Sequence, residues 1–167
     1  MTASRKSPST TLTLAVAPAS DHPGGLDLGA LVVYLSKHTS LSISLHRCQD
    51  YKEAMTMLTD GSAQIGWLGP FAYKEAAGNT DSVEAFAVGV PKGKSVPNYH
   101  SLFIVRPDSD IKILSDVRNS SIALSDIYSA SGYDVPRREL ADVGIDIQND
   151  GAFKSISTCT RHGHNLL

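Results

Sequence analysis

The sequence has few cysteines and little net charge. Only two of its 167 residues are cysteines, and the formal net charge at pH 7 is −2. Cys48 and Cys159 lie far apart without a CxxC pattern, so they define no disulfide framework and leave the compartment undecided. The near-neutral charge gives no electrostatic footprint for nucleic acid or an anionic membrane surface, and we expect neither as a partner.

Long hydrophobic runs are also missing. No apolar stretch approaches the roughly 20 residues that a membrane-spanning helix needs. The opening MTASRKSPST is polar and contains no signal-peptide core, so we expect residues 1–10 to form a disordered arm. The sequence as written predicts a cytoplasmic protein. If a leader was removed, the expected location is the periplasm or another membrane-associated site outside the cytoplasm.

Signatures of catalysis and of metal binding are weak. There is no glycine-rich phosphate loop, no HExxH and no GxSxG. The segments HRC at 46–48 and CTRHGH at 159–164 contain metal-ligand types, but their spacing matches no strong zinc signature and they fall in different predicted lobes. We therefore predict no metal, no cofactor and no enzymatic activity. A small enzyme using Cys159 and His162 is the less favoured alternative.

Apolar periodicity alternates between strand-like and helix-like along the chain, which predicts a mainly parallel α/β sheet. The predicted strands are LTLAV, LSISL, AQIGWLG, VEAFAVGV, YHSLFIV, SIALS and FKSIS, and helices lie between most of them. A change of pattern after Pro91 predicts a first lobe over residues 11–100. The crossover and part of a second lobe are then expected over residues 101–167.

The stretch SDIYSASGYDVP at 125–136 is the most informative loop, because it lies where a strand should end and a helix begin. Backbone N–H groups from Ser129 to Tyr133 would be unpaired at the head of that helix, where the helix dipole favours an anion. Gly132 would let the main chain approach closely, and the hydroxyls of Ser129 and Ser131 add donors. The stretch predicts an oxyanion cradle. A serine that only caps the helix is the alternative interpretation.

Two tyrosines accompany this stretch in loops predicted at the carboxyl ends of strands. Tyr51 and Tyr99 each suit ordinary packing in a core or at its rim. Together with serine donors, they also suit a small polar ligand held between aromatic walls.

Three segments together resemble a known family. GSAQIGWLGPFAY, YHSLFIVRPDSDIKILSDV and SIALSDIYSASGYDVPRREL are similar to the phosphonate/phosphite-binding proteins of ABC importers, which are type II periplasmic binding proteins. The resemblance covers roughly residues 11–167, and its most specific part runs from Ser121 to Leu140. It implies a type II periplasmic-binding-protein-like α/β fold, with two lobes of mainly parallel sheet that close on an oxyanion.

The resemblance also implies a binding site. It places donors to the ligand oxygens at Ser129, Ala130 and Ser131, with Tyr51 and Tyr99 against the ligand. The family commonly has threonine at the position of Ala130, so one hydroxyl contact is absent while the main-chain donor remains. A histidine after the following strand completes the implied site; His162 is the first choice and His164 the competing one.

Members of this family are substantially longer, so the resemblance implies that the second lobe is incomplete here. A truncated product, a fragment of a longer chain and a chain completed by a second copy all remain open. We predict a solute-binding protein for phosphonate, phosphite or phosphate that feeds an ABC permease. If the remaining part is truly absent, weak or no affinity is expected, because closure needs both lobes. A ligand-sensing domain of a regulatory protein is the alternative, and the identity of the oxyanion stays open.

Overall fold

The computed structural model of the chain describes residues 11–18, 27–78, 81–148 and 151–159. They divide into two compact units, Met1–Leu68 and Gly69–Leu167. This division lies about thirty residues before the boundary expected from the sequence, and the assignment of lobes stays a prediction. The predicted arm over residues 1–10 lies outside the described residues.

The first unit is a three-stranded parallel sheet built from two β-α-β steps. Its elements are β1 (Thr11–Val16), α1 (Leu28–Thr39), β2 (Ser42–Arg47), α2 (Tyr51–Thr59) and β3 (Ile65–Trp67). The strand order is β2-β1-β3, with Thr11 opposite Ser42 and Leu14 opposite Ile65. The core contains Leu14, Val16 and Leu28, so the apolar residues of β1 and the start of α1 hold the sheet and helix together.

Local signals in the sequence explain where the helices of this unit begin and end. The Asp27 carboxylate accepts from the Ala30 amide at 2.9 Å and caps α1. The Asp50 carboxylate likewise accepts from the Glu53 amide at 2.7 Å and caps α2. Gly61 follows α2 with φ +79°, a left-handed conformation that glycine adopts without steric cost. Asp50 and Gly61 therefore mark the beginning and the end of α2.

The second unit contains a two-stranded parallel sheet. Its elements are α3 (Pro70–Gly78), a 3₁₀ turn (Leu114–Val117), β4 (Ser121–Ser125), a π-helical turn (Ala130–Asp134), α4 (Val135–Asp142) and β5 (Ser155–Cys159). Ser121 pairs with Ser155 and Ser125 with Cys159. Leu124 from β4 and Leu140 from α4 are buried with Val117, Ile145 and Ile147, and this core fixes α4 against the sheet.

Two strands predicted from the sequence are wrong. Residues 81–113 contain no strand or helix, although VEAFAVGV and YHSLFIV both have strand-like composition. Large apolar side chains in this segment are exposed, including Phe86, Val88, Leu102 and Ile104. A strand forms only when a neighbour takes its backbone hydrogen bonds, and the described residues provide none for these two runs.

None of the helices in the described ranges is both long enough and apolar enough to cross a membrane.

Candidate functional site

The chain turns sharply after β4. The Asp126 carboxylate accepts from the Tyr128 amide at 2.9 Å, and the Asp126 carbonyl accepts from the Ser129 amide at 2.8 Å. Such a turn, formed by an aspartate with its own following backbone, redirects the chain from a strand into a helix. It delivers Ser129 to the head of the π-helical turn that leads into α4.

Ser129 caps this turn. Its hydroxyl oxygen accepts from the Gly132 amide at 3.1 Å, and its carbonyl accepts from the amides of Tyr133 and Asp134, each at 3.1 Å. The residue is 2% exposed. The capping interpretation of this serine is therefore confirmed, and its predicted contact with a ligand stays a prediction.

The predicted row of free amides is shorter than the sequence indicated. The amides of Ser129, Gly132 and Tyr133 are already bonded within the turn, so the expectation that all five amides are available is wrong. The amides of Ala130 and Ser131 have no protein acceptor among the described residues. Two adjacent main-chain donors therefore remain for an anion, and the helix dipole of the turn and α4 favours negative charge beside them.

Positive charge near the turn is engaged by one carboxylate. Asp134 is 8% exposed and pairs with Arg138 at 2.9 Å and with Arg137 at 3.4 Å. Both guanidiniums are therefore engaged by Asp134, and neither stands as an unpaired cation beside the turn. Pro136 occupies the first turn of α4, where its missing N–H would have no partner in any case.

The segment that contains Tyr99 is tied to the turn. The Ser101 hydroxyl donates to the Ser131 carbonyl at 2.6 Å, and Tyr99 is 58% exposed two residues earlier. This bond holds the carbonyl of the Ser131–Gly132 peptide group. It also places the segment around Tyr99 next to the π-helical turn. Ser101 was not among the predicted site residues; its position beside Tyr99 in the loop NYHS was the available signal.

Three further predicted site residues lie in the first unit or outside the described residues. Tyr51 is the first residue of α2, is 2% exposed and belongs to the first unit. His162 and His164 lie outside the described residues. The contribution of these three residues to a ligand site stays a prediction.

One group of side chains in the described residues has the composition of a metal site. The ligand atoms of His46, Cys48 and Glu53 all lie within 4.8 Å of one another. Burial raises the pKa of the Cys48 thiol, and the nearby Glu53 carboxylate raises it further. The pKa of Glu53 is lowered, first by the Gln49 amide and then by His46, which both hydrogen-bond to the carboxylate. The combination of HRC with CTRHGH, which the sequence analysis weighed and did not favour, is untested, because residues 160–164 lie outside the described residues.

Comparison with known proteins identifies the family. Residues 15–165 match the family model of the ABC transporter phosphonate periplasmic substrate-binding protein. The chain belongs to this family. The phosphate-import protein PhnD of Mycolicibacterium smegmatis is 28% identical over 139 residues, which are 81% of this chain and 43% of that protein.

Solved structures of phosphonate-transporter binding proteins share the fold. The binding-protein component of an ABC phosphonate transporter from Pseudomonas aeruginosa matches with a TM-score of 0.76 and 24% identity, over 94% of this chain and 52% of that one. PhnD1 from Prochlorococcus marinus, solved with methylphosphonate, matches with a TM-score of 0.66 and 17% identity, over 93% and 58%. The predicted fold class is confirmed. The chain spans about half the length of these phosphonate-binding relatives.

Proposed function

We propose that this chain is part of a solute-binding protein that captures a small phosphorus oxyanion outside the cytoplasm and delivers it to an ABC permease. No bond is made or broken in this process, and the protein is not an enzyme. Phosphonate, phosphite and phosphate share the tetrahedral P–O oxygens that the site would bind.

One observation supports the proposal above all: the adjacent amides of Ala130 and Ser131 have no acceptor among the described residues. Backbone amides at the head of a helix are typical donors to phosphate-like oxygens. The Ser131 hydroxyl stands on the same turn and adds a third donor, since among the described residues it has no hydrogen-bond partner of its own. Membership of a family of phosphonate-binding proteins points to the same ligand chemistry.

The chemistry of the proposed binding is dipolar. The N–H groups of Ala130 and Ser131 donate to one or two P–O oxygens, and the Ser131 O–H donates to another. Ala130 has no hydroxyl, so its contribution comes from the main chain. Tyr99, anchored through Ser101, supplies an aromatic wall, and Tyr51 and His162 are proposed further contacts. Binding shifts the protein toward a closed state that the permease recognises.

The test is a calorimetric titration of the complete gene product that contains this sequence, with the 167-residue chain measured in parallel. Methylphosphonate, phosphite and phosphate are the ligands, and chloride is the control anion. We expect saturable binding of at least one phosphorus oxyanion by the complete product. No measurable binding of any of the three would overturn the proposal.

The turn itself is tested with Ser131→Ala. A hydrogen bond to a charged group contributes about 1.5–3 kcal/mol, so we expect affinity to fall by roughly 10- to 150-fold. Ser115→Ala is the matched control, because Ser115 is exposed in the 3₁₀ turn, and it should keep the affinity of the unmodified protein. Equal affinities in both variants would show that the oxyanion binds elsewhere.

A further inference from the structure

Three different metal-ligand types meet at the carboxyl end of β2. His46 and Cys48 are two residues apart, and alternation along a strand sends such side chains to the same face. Glu53 returns from the first turns of α2 and places its Oε1 atom 2.9 Å from His46 Nε2. A strand, its following loop and a helix therefore bring an imidazole, a thiol and a carboxylate together within one compact unit.

The carboxylate of this group is held in place by its surroundings. The Gln49 amide donates to Glu53 Oε2 at 2.6 Å, which leaves Oε1 directed at His46. The backbone of Glu53 is fixed in turn by the Asp50 cap at 2.7 Å. Partners that orient a ligand from behind are a regular feature of protein metal sites.

The spacing suits a small cation. Zinc bonds nitrogen and oxygen at about 2.0–2.2 Å and sulfur at about 2.3 Å, so ligand atoms around it lie roughly 3–4 Å apart. The atoms of the group are already within 4.8 Å of one another. Binding of an ion would therefore need side-chain rotations that draw the most distant of these atoms closer together.

We propose that His46, Cys48 and Glu53 form a three-ligand site for Zn²⁺ or a similar borderline-soft divalent cation, with water in the fourth position. Binding releases the proton of the Cys48 thiol to solvent, while the neutral His46 ring carries its proton on Nδ1 so that Nε2 is free to bind the ion. The side chains of His46 and Glu53 are 43% and 33% exposed, so an ion has a path to the site, whereas Cys48 forms its buried floor.

The site differs from an ordinary ion pair in its use of sulfur. A His46–Glu53 pair accounts for two of the three residues and leaves Cys48 as a buried packing residue, 4.0 Å from the Met57 sulfur. A zinc site uses all three. The two explanations therefore make different predictions for Cys48 and for a thiolate signal.

The experiment measures metal binding by the 167-residue chain after removal of bound metal with a chelator. Zn²⁺ is titrated by calorimetry, and Co²⁺ is added as a spectroscopic probe because a cobalt–thiolate bond absorbs in the near ultraviolet. We expect one ion per chain and a thiolate band. His46→Gln, Glu53→Gln and Cys48→Ser should each weaken binding by more than the roughly 10- to 100-fold caused by loss of an outer-shell partner.

Matched controls separate this site from the other cysteine and histidines. Cys159→Ser and the double variant His162→Asn/His164→Asn should keep both the stoichiometry and the thiolate band. Cys48 is buried, so its replacement can disturb packing. His46→Gln changes a half-exposed residue and tests the same loss of metal binding, and circular dichroism checks that this variant is folded. Absence of ion binding by the unmodified chain would overturn the proposal, as would loss of the ion in the Cys159 or His162/His164 variants.

Discussion

Ser129 and Ser131 make different hydrogen bonds, although they have similar surroundings in the sequence. The Ser129 hydroxyl oxygen is used inside the turn, where it accepts from Gly132, and the residue is almost fully buried. Ser131 is half-buried, and its carbonyl is fixed by Ser101. The distinction could not be predicted, because a serine whose hydroxyl caps a turn and a serine whose hydroxyl stays free of the turn have the same local sequence pattern.

Other local features were predictable, since they involve residues three or four apart. Asp50 and Glu53 have the spacing of a capping box, and the Asp50 carboxylate does cap the Glu53 amide. The return contact goes to the Gln49 amide rather than to that of Asp50. The three-residue spacing of Asp50 and Glu53 predicts that these two residues interact. Which backbone N–H donates to the Glu53 carboxylate depends on the path of the chain after β2.

Asp116 provides a residue-scale prediction on pH. Its Oδ2 atom accepts from the Lys112 amide at 2.9 Å and the Ile113 amide at 3.0 Å, and these bonds lower the pKa of the carboxyl group. Because the folded pKa lies below the unfolded value of about 3.9, the stabilisation is present above pH 4 and is lost as the pH falls through the folded pKa. Urea unfolding at pH 7 and pH 3 should show a smaller difference for Asp116→Asn than for the unmodified chain.

Ser109→Ala is the control for this experiment. The Ser109 hydroxyl accepts from the Ile111 amide in the same loop but does not titrate in this range. It should lower stability by a similar amount at both pH values. An unchanged pH dependence in Asp116→Asn would contradict the assignment.

At the scale of elements, the strands that were predicted correctly are those with neighbours. LTLAV, LSISL and AQIGWLG lie at β1, β2 and β3, where β2 and β3 each pair with β1, and SIALS and FKSIS lie at β4 and β5, which pair with each other. VEAFAVGV and YHSLFIV have the same β-branched and aromatic composition but no strand. Amino-acid composition indicates how well side chains fit a pleated surface. Whether a strand forms also depends on pairing with a strand from a distant part of the sequence, which a local pattern does not show.

Gly66 tests how α2 packs on β3. A Cβ atom at this position would collide with the side chain of Leu58 from α2. Gly66→Ala must displace Leu58, and we expect the free energy of unfolding to fall by about 1–3 kcal/mol, the usual cost of overpacking. Gly78→Ala is the control, because a Cβ atom there meets nothing within 4 Å. Equal stabilities of the two variants in denaturant would show that Leu58 adjusts without cost.

At the scale of the whole molecule, the irregular segment presents an unusual amount of apolar surface. Phe86 is 81% exposed, Leu102 77% and Ile104 72%. Contiguous exposed apolar surface typically marks a contact with other protein. The described residues bury none of these three side chains, so the apolar composition of the two runs is not explained by packing within the described ranges.

This surface predicts that the 167-residue chain binds an apolar dye. Anilinonaphthalene sulfonate should fluoresce strongly with the folded chain, since the dye binds accessible apolar clusters. The triple variant Phe86→Ser/Leu102→Ser/Ile104→Ser should lose most of this fluorescence. Val33→Ser, which removes an exposed apolar residue of α1 in the first unit, should keep it. Strong fluorescence in the triple variant would place the dye site elsewhere.

The bond between the Ser101 hydroxyl and the Ser131 carbonyl affects which amino-acid substitutions the turn tolerates. The two donors of the cradle belong to the peptide chain itself, so every amino acid except proline would preserve them at positions 130 and 131. The Ser101 bond holds the next peptide group, Ser131–Gly132, whose N–H binds the Ser129 hydroxyl and closes the turn. A substitution at position 101 would therefore loosen the end of the turn, although the Ser101 side chain bonds to neither of the two amides.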